Sequence, residues 1–219
     1  MFFLQNTGLS FVSPKANALG NFFEVRIMSI MHKNVKKTVF VGILSAMSFV
    51  LFLFPKFPLL AAFPWLDFDL SDIPALLASV TISPIAGLAV ALIKNVLHLT
   101  VTSTATIGEL SNFLINGTFV LVTGLVYKYV VKSDERVSYL LFSTVCGAVF
   151  QLVAAILVNY FLMIPMYSAF VNFEEIGGAQ YYILAGVIPF NLIKNIVASV
   201  VFVAIFKLLN RKFLGFLNK

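Results

Sequence analysis

The chain has 219 residues, a formal net charge of +6, 60% hydrophobic against only 11% charged side chains, and a mean hydropathy of +1.00. A soluble domain needs roughly a quarter of its residues charged to keep a hydrated surface, so composition excludes a water-soluble fold. The apolar residues come in long blocks rather than amphipathic stripes, which makes lipid the solvent, and the basic residues sit at the ends of those blocks, which argues against nucleic acid as a partner.

In chain order, residues 1–30 are mixed in character. Gly8, Pro14 and Gly20 are expected to break any helix longer than a few turns there, and the patches Met1-Phe2-Phe3-Leu4 and Phe22-Phe23 are too short to span. The segment lacks the apolar core and small-residue cleavage pattern of a signal peptide. It is expected to be a dispensable extension, with residues 31–219 forming an all-α membrane domain of six transmembrane helices. Helix 1 is expected at residues 38–54, stopped by Pro55. Helix 2 is short, 73–82, with Ser71 and Asp72 as N-cap candidates and Pro74 in its first turn. Helix 3 is expected at 84–99, helix 4 at 107–131, helix 5 at 137–163 with Pro165 as its stop, and helix 6 at 185–209. Helices 2 and 3 fall short of the roughly 20 residues a span needs, so they are tilted or helix 2 crosses only part of the bilayer. The lone cysteine, Cys146, lies inside helix 5 and reads as a small hydrophobe, leaving no disulfide and no thiolate metal site.

Lys and Arg set the orientation. Lys33, Lys36 and Lys37 precede helix 1; Lys128, Lys132 and Arg136 lie between helices 4 and 5; Lys207, Arg211, Lys212 and Lys219 follow helix 6. The opposite loops hold only Lys56 beside Asp67, Asp69, Asp72, Glu174 and Glu175. Six spans with both termini cytoplasmic fit all of these loops.

That topology gives each intramembrane polar residue a depth. Lys94, Asn95 and His98 fall near the outer end of helix 3, and Glu109, Asn112 and Asn116 on one face of the outer half of helix 4. Asn159 and Tyr160 fall at the outer end of helix 5, and Asn191, Lys194 and Asn195 on one face of helix 6. Polar groups in hydrocarbon face each other or a wet cavity, a central charge costing on the order of 3 kcal/mol. Four helices with such faces at one depth imply one pocket open to the outside. The bland alternatives are that Lys94 snorkels to the interface, that Glu109 complements a helix dipole, that His98 is interfacial, and that Asn112 and Asn116 join helices together. Leu92-Ile93-Lys94-Asn95-Val96 echoes Leu192-Ile193-Lys194-Asn195-Ile196, as inverted repeats would, with chance as the alternative. The outer loop Phe63-Pro64-Trp65-Leu66-Asp67-Phe68-Asp69-Leu70 holds the single Trp. It reads as an interfacial aromatic belt or as a flat apolar lid over a ring-shaped ligand.

No G-x-x-x-x-G-K-[ST] occurs, so ATP hydrolysis by that route is excluded, and no H-E-x-x-H occurs, His32 and His98 being the two histidines. A Ser–His hydrolase would have to pair His98 with Ser103 or Ser111 without a G-x-S-x-G elbow, and no carboxylate ring suggests a channel. A binding pocket without an engine remains: a facilitator, or a subunit that borrows energy from a partner. In helix 1, Gly42 and Ala46 form a small-xxx-small pair with Ser45 alongside, suited to a docking helix or to packing within the bundle.

On its six short spans, on Asp67-Phe68-Asp69-Leu70-Ser71-Asp72-Ile73-Pro74, on Gly108-Glu109-Leu110-Ser111-Asn112-Phe113 and on Ile188-Pro189-Phe190-Asn191-Leu192-Ile193-Lys194, the chain resembles the S component of energy-coupling factor vitamin transporters, over about residues 36–212. Within that family it is most similar to the riboflavin-specific type. The resemblance implies an outward-facing vitamin pocket, a membrane coupling protein (the T component) and two cytoplasmic ATPase subunits, with no resident cofactor or metal and no chemistry of its own. It implies docking through helix 1, where the usual Ala-xxx-Ala has Gly42 in place of its first Ala, and flavin-ring binding by Asn159, Asn191 and Lys194. An Asn amide matches the imide N–H and carbonyls of the flavin pyrimidine ring, and a Lys donates to carbonyl or ring nitrogen. Glu109 and Asn112 are candidates for the ribityl hydroxyls, with Trp65, Asp67, Phe68 and Lys94 around the ring. Another vitamin, thiamine or a biotin-like compound, and a solitary facilitator stay open.

Overall fold

A computed structural model describes the backbone of residues 14–54, 57–101, 106–168 and 171–217, with side chains described from residue 34 to residue 209 of these. Pro55, Lys56, Ser103, the side chains of His32 and Lys33, and Arg211, Lys212 and Lys219 as side chains lie outside that set, as do residues 1–13. Six principal helices carry the fold among the described residues.

Helix α1 runs Pro14–Leu53 without interruption, so the expected break at Gly20 does not occur. Pro14 opens the helix, where no N–H is needed, and one interior glycine costs only about 1 kcal/mol. In its apolar half, Leu44, Ser45, Ser48 and Phe52 form a buried stripe at helical spacing. Gly42 and Ala46 lie on the opposite, exposed face, so Ser45 turns into the bundle rather than standing with them. A two-residue hairpin follows, Phe57–Pro58 (β1) paired antiparallel with Asp67–Phe68 (β2), with the Phe57 and Phe68 rings 5.3 Å apart.

Helix α2, Asp72–Thr81, is buried at every position from Asp72 to Ser79. Its ten residues rise only about 15 Å, half of a hydrocarbon core. It sits inside the bundle, where Ala75, Leu76 and Ala78 pack with Val90, Phe119 and Phe202 from three other helices. Helix α3, Pro84–His98, starts on a Ser83 cap whose hydroxyl accepts from the Ala86 N–H at 3.1 Å. It approaches α2 so closely at Gly87 that a Cβ there would stand 2.4 Å from the Ser79 Cβ.

Helix α4 spans Ile107–Val130, α5 spans Val137–Tyr167, and α6 runs from Gly178 through Leu217. Among the described residues, Asn34–Leu53, α4, α5 and residues Gly178–Leu209 of α6 are the four stretches long and apolar enough to cross a bilayer. Between α4 and α5, the Arg136 guanidinium donates to the Asp134 carboxylate at 2.7 Å and holds that carboxyl below its usual range.

Two sequence-based boundaries are corrected by one device. Helix α5 does not stop at Pro165: a π-helical turn at Asn159–Met163 re-registers the ladder, and the helix resumes at Ile164–Tyr167 with Pro165 in its first turn. Helix α6 likewise begins earlier than residue 185, at Gly178–Tyr181, and takes a π turn at Tyr182–Val187 just before Pro189. A proline lacks the N–H for the ladder and clashes with the carbonyl four residues back. The wider turn moves that carbonyl away, as the Ile164 N–H→Asn159 and Ile188 N–H→Ile183 bonds record.

Candidate functional site

The π turn of α5 faces a chamber, and the π turn of α6 reaches it through Tyr182, which bonds Asn159. A cavity of about 180 Å³ is lined by Trp65 from the hairpin, Asn112 and Asn116 from α4, Asn159 and Met163 from α5, and Asn191 from α6. The structure brings polar residues of these three helices and the loop to one cavity. Helix α3 does not contribute to the chamber wall.

Asn116, Asn159 and Asn191 are each held by a partner. Asn159 donates to the Ala155 carbonyl at 2.8 Å and accepts from the Tyr182 hydroxyl at 3.0 Å. Tyr182 in turn accepts from the Trp65 indole N–H at 3.3 Å. Phe63 packs against Tyr182 at 5.4 Å between ring centres and against Trp65 at 6.0 Å, so the aromatic loop is seated on α6. Gly186 makes room for it, since a Cβ there would lie 2.9 Å from the Phe63 ring. Asn191 donates to Val187 at 2.8 Å and accepts from Gln151 at 2.8 Å. The buried Asn112 Oδ1 has no hydrogen-bond partner among the described residues. An acceptor left bare in this way costs about 1–3 kcal/mol until a donor reaches it.

The lysines are elsewhere. Lys94 is fully buried, 2.9 Å from Asp72 Oδ1 and 2.8 Å from the Ser71 hydroxyl, with its ammonium 5.1 Å from the centre of the Phe52 ring. It does not snorkel to an interface. Lys194 lies 2.9 Å from Asp69 Oδ2 and 3.3 Å from Asp72 Oδ2. The two echoed lysines therefore converge on one carboxylate. Asp69 also accepts from the Ser71 N–H at 2.8 Å and from the Ser71 hydroxyl, and the Ser48 hydroxyl on α1 donates to the Ser71 carbonyl at 2.5 Å. Ser71 thus precedes α2 without capping it by its side chain. Two cations and two anions leave this cluster neutral, the condition for burying it. Lys194 spends two of its three N–H groups here, and Glu109 is not its partner: Glu109 Oε1 lies 2.7 Å from His98 Nδ1. His98 is itself buried against Phe52, with ring centres 4.2 Å apart, so it is not an interfacial residue. Asp67 and Phe68 form β2 and, like Glu109, Lys94 and Lys194, stand outside the chamber wall.

Sequence reasoning missed Gln151, Tyr182 and the pairing of Asp69 and Asp72 with the lysines. A signal existed for the first and the last. Gln151 is the one amide side chain in residues 137–158, and two lysines in apolar helices are matched in number by two acids at the head of α2.

Fold and site define a multi-pass membrane protein whose helices enclose an amide-lined chamber. Comparison with known proteins narrows this. The model of the substrate-specific component of ECF transporters matches residues 36–206, and the chain belongs to that family, which is one of transporter components rather than enzymes. It is 37% identical to the riboflavin transporter RibU of Staphylococcus aureus strain TCH60, over 84% of this chain and 93% of that one. It is 36% identical to the riboflavin transporter FmnP of Bacillus subtilis strain 168, over 78% and 90%, and 35% identical to RibU of Streptococcus thermophilus, over 86% and 90%. A solved structure of the S component of a bacterial ECF transporter superposes with a TM-score of 0.68 at 33% identity, covering 81% of this chain and 97% of that one. The protein is a multi-pass protein of the cell membrane.

Proposed function

We propose that the chain binds riboflavin in the amide-lined chamber and mediates its uptake as the substrate-specific subunit of an ATP-driven ECF transporter. The observation that carries this is 35–37% identity to three riboflavin transporters over 78–86% of the chain. The chamber chemistry supports it independently. Asn112 Oδ1 is a bare acceptor suited to the imide N–H of a flavin, and the Asn116, Asn159 and Asn191 amides offer N–H groups to the flanking carbonyls. The chamber, at about 180 Å³, is below the roughly 300–1,000 Å³ of pockets that hold drug-sized ligands. Seating a three-ring flavin with its ribityl chain therefore requires the chamber to widen.

The binding face is outward, the bundle spans six times and both termini are cytoplasmic, as the distribution of Lys and Arg supports. Energy comes from a T component and two ATPase subunits, since this chain carries no phosphate-binding loop. The experiment is a titration of purified protein with riboflavin, thiamine and biotin, read by Trp65 emission. Riboflavin is expected to quench it saturably, because Trp65 is the single Trp and lines the chamber. Saturable quenching by thiamine or biotin, with none by riboflavin, would replace the ligand.

A further inference from the structure

Gln151 lies on α5 behind the chamber wall, with no exposed surface. Its Nε2 donates to Asn191 Oδ1 at 2.8 Å and to Asn116 Oδ1 at 3.3 Å, and its Oε1 accepts from Asn195 Nδ2 at 2.7 Å. It therefore ties α4, α5 and α6 together through three amides.

Amide direction is normally the least certain feature of an Asn or Gln, because oxygen and nitrogen have the same shape. Here chemistry decides it. Asn191 Nδ2 meets the Val187 carbonyl at 2.8 Å, and a carbonyl can only accept. The Asn191 oxygen must then face Gln151, so the nitrogen of Gln151 must face Asn191. The second hydrogen of that nitrogen reaches the Asn116 oxygen, and the oxygen of Gln151 is left to Asn195. One backbone carbonyl fixes four amides in series.

The consequence falls on the chamber. Both side chains that Gln151 holds by their oxygens, Asn116 and Asn191, line it. With their oxygens engaged behind the wall, what they keep for a ligand is N–H: both hydrogens of Asn116 and the second hydrogen of Asn191. We propose that Gln151 is a positioning residue that sets the polarity of the chamber, making Asn116 and Asn191 donors and so selecting a ligand edge rich in carbonyl acceptors. This rests on the riboflavin reading and deepens it, because the flavin pyrimidine ring presents two carbonyls around one N–H. Without Gln151, the Asn116 amide has no partner fixing its direction and can turn either end to the ligand.

The test compares riboflavin with its 2-thio and 4-thio analogues, in which a weakly accepting sulfur replaces one carbonyl oxygen. The unaltered protein, Gln151→Glu and Gln151→Met are each titrated, and thermal melting in detergent reports folding. A glutamate carboxylate only accepts, so it draws the N–H groups of Asn116 away from the ligand and sets its charge against the Asn191 oxygen, which the Val187 bond holds in place; protonated, it can donate to only one of the two. Methionine removes both donors with little change in volume. The unaltered protein is expected to favour riboflavin over at least one thio analogue by about 10-fold or more, the scale of one stranded hydrogen bond. In folded Gln151→Glu that preference is expected to fall to within about 3-fold of unity, with Gln151→Met between. A purely structural role would weaken all three ligands alike and leave the ratio unchanged; that result in either folded variant overturns the proposal. Failure of the unaltered protein to bind riboflavin would bring down the ligand reading itself, a separate outcome visible before any variant is made.

Discussion

At the scale of single residues, the structure separates groups that line the chamber from groups that hold the frame. Asn191 lines the chamber, and losing a ligand hydrogen bond with its partner stranded costs about 1–3 kcal/mol, or roughly 5- to 150-fold in affinity. Asn191→Ala is therefore expected to weaken riboflavin binding by that order while the protein still melts near its normal temperature. Lys194 and Lys94 behave differently. Each neutralises a buried carboxylate, and removing one partner of a buried pair costs about 3–5 kcal/mol of stability. Lys194→Ala and Lys94→Ala are both expected to lower the melting temperature sharply, with loss of binding following loss of fold. An interfacial Lys94 would have a milder effect, but its side chain has no exposed surface. A normal melt for Lys94→Ala would contradict the ion-pair cluster.

At the scale of elements, helix existence was legible because apolar blocks and their punctuation are local properties. Helix α3 starts at Pro84 and α4 at Ile107, where the apolar blocks place them. The ends of α5 and the start of α6 were misread because Pro165 and Pro189 are stop signals only for a regular α ladder. A π turn ahead of each proline lets the helix continue, and nothing in the local sequence announces it. Those same turns carry Asn159 and Tyr182, so the misread boundaries and the site coincide. The polar faces of α4 and α6 were found by helical spacing, and Asn159 of α5 by its place at the helix end. Their partners were not, because Asp69–Lys194 and Gln151–Asn191 are contacts between elements distant in the chain. Helix α3 shows the limit: Lys94, Asn95 and His98 share its C-terminal end with no part in the chamber, since spacing gives a face but not what the face meets.

At the scale of the whole molecule, two expectations concern the surroundings of the bundle. Single cysteines at Ser133 and Glu174, in a Cys146→Ala background, are expected to react from the cytoplasmic and external sides respectively; reaction of both from outside would overturn the six-span topology. Gly42 and Ala46 form a small-residue face pointing away from the core, and a Cβ at Gly42 would meet nothing within 4 Å. Gly42→Leu is expected to leave riboflavin binding by the isolated protein unchanged and to lower uptake in vesicles containing the T component and ATPases by about 10-fold or more, the effect of about 1.4 kcal/mol on association. Undiminished uptake would remove this face from the docking surface, and uptake without the other subunits would make the chain a facilitator. The buried cluster of two acids and two lysines also dictates an order of events during synthesis. Lys94 follows Asp72 by 22 residues and can neutralise it almost as soon as both leave the ribosome, whereas Lys194 is made 125 residues after Asp69. At bacterial-type elongation rates of about 5–20 residues per second, the nascent first half waits roughly 6–25 s carrying one unmatched carboxylate. Its early helices reach their final seating only when α6 arrives, so the last helix to be translated is the one that locks the first three.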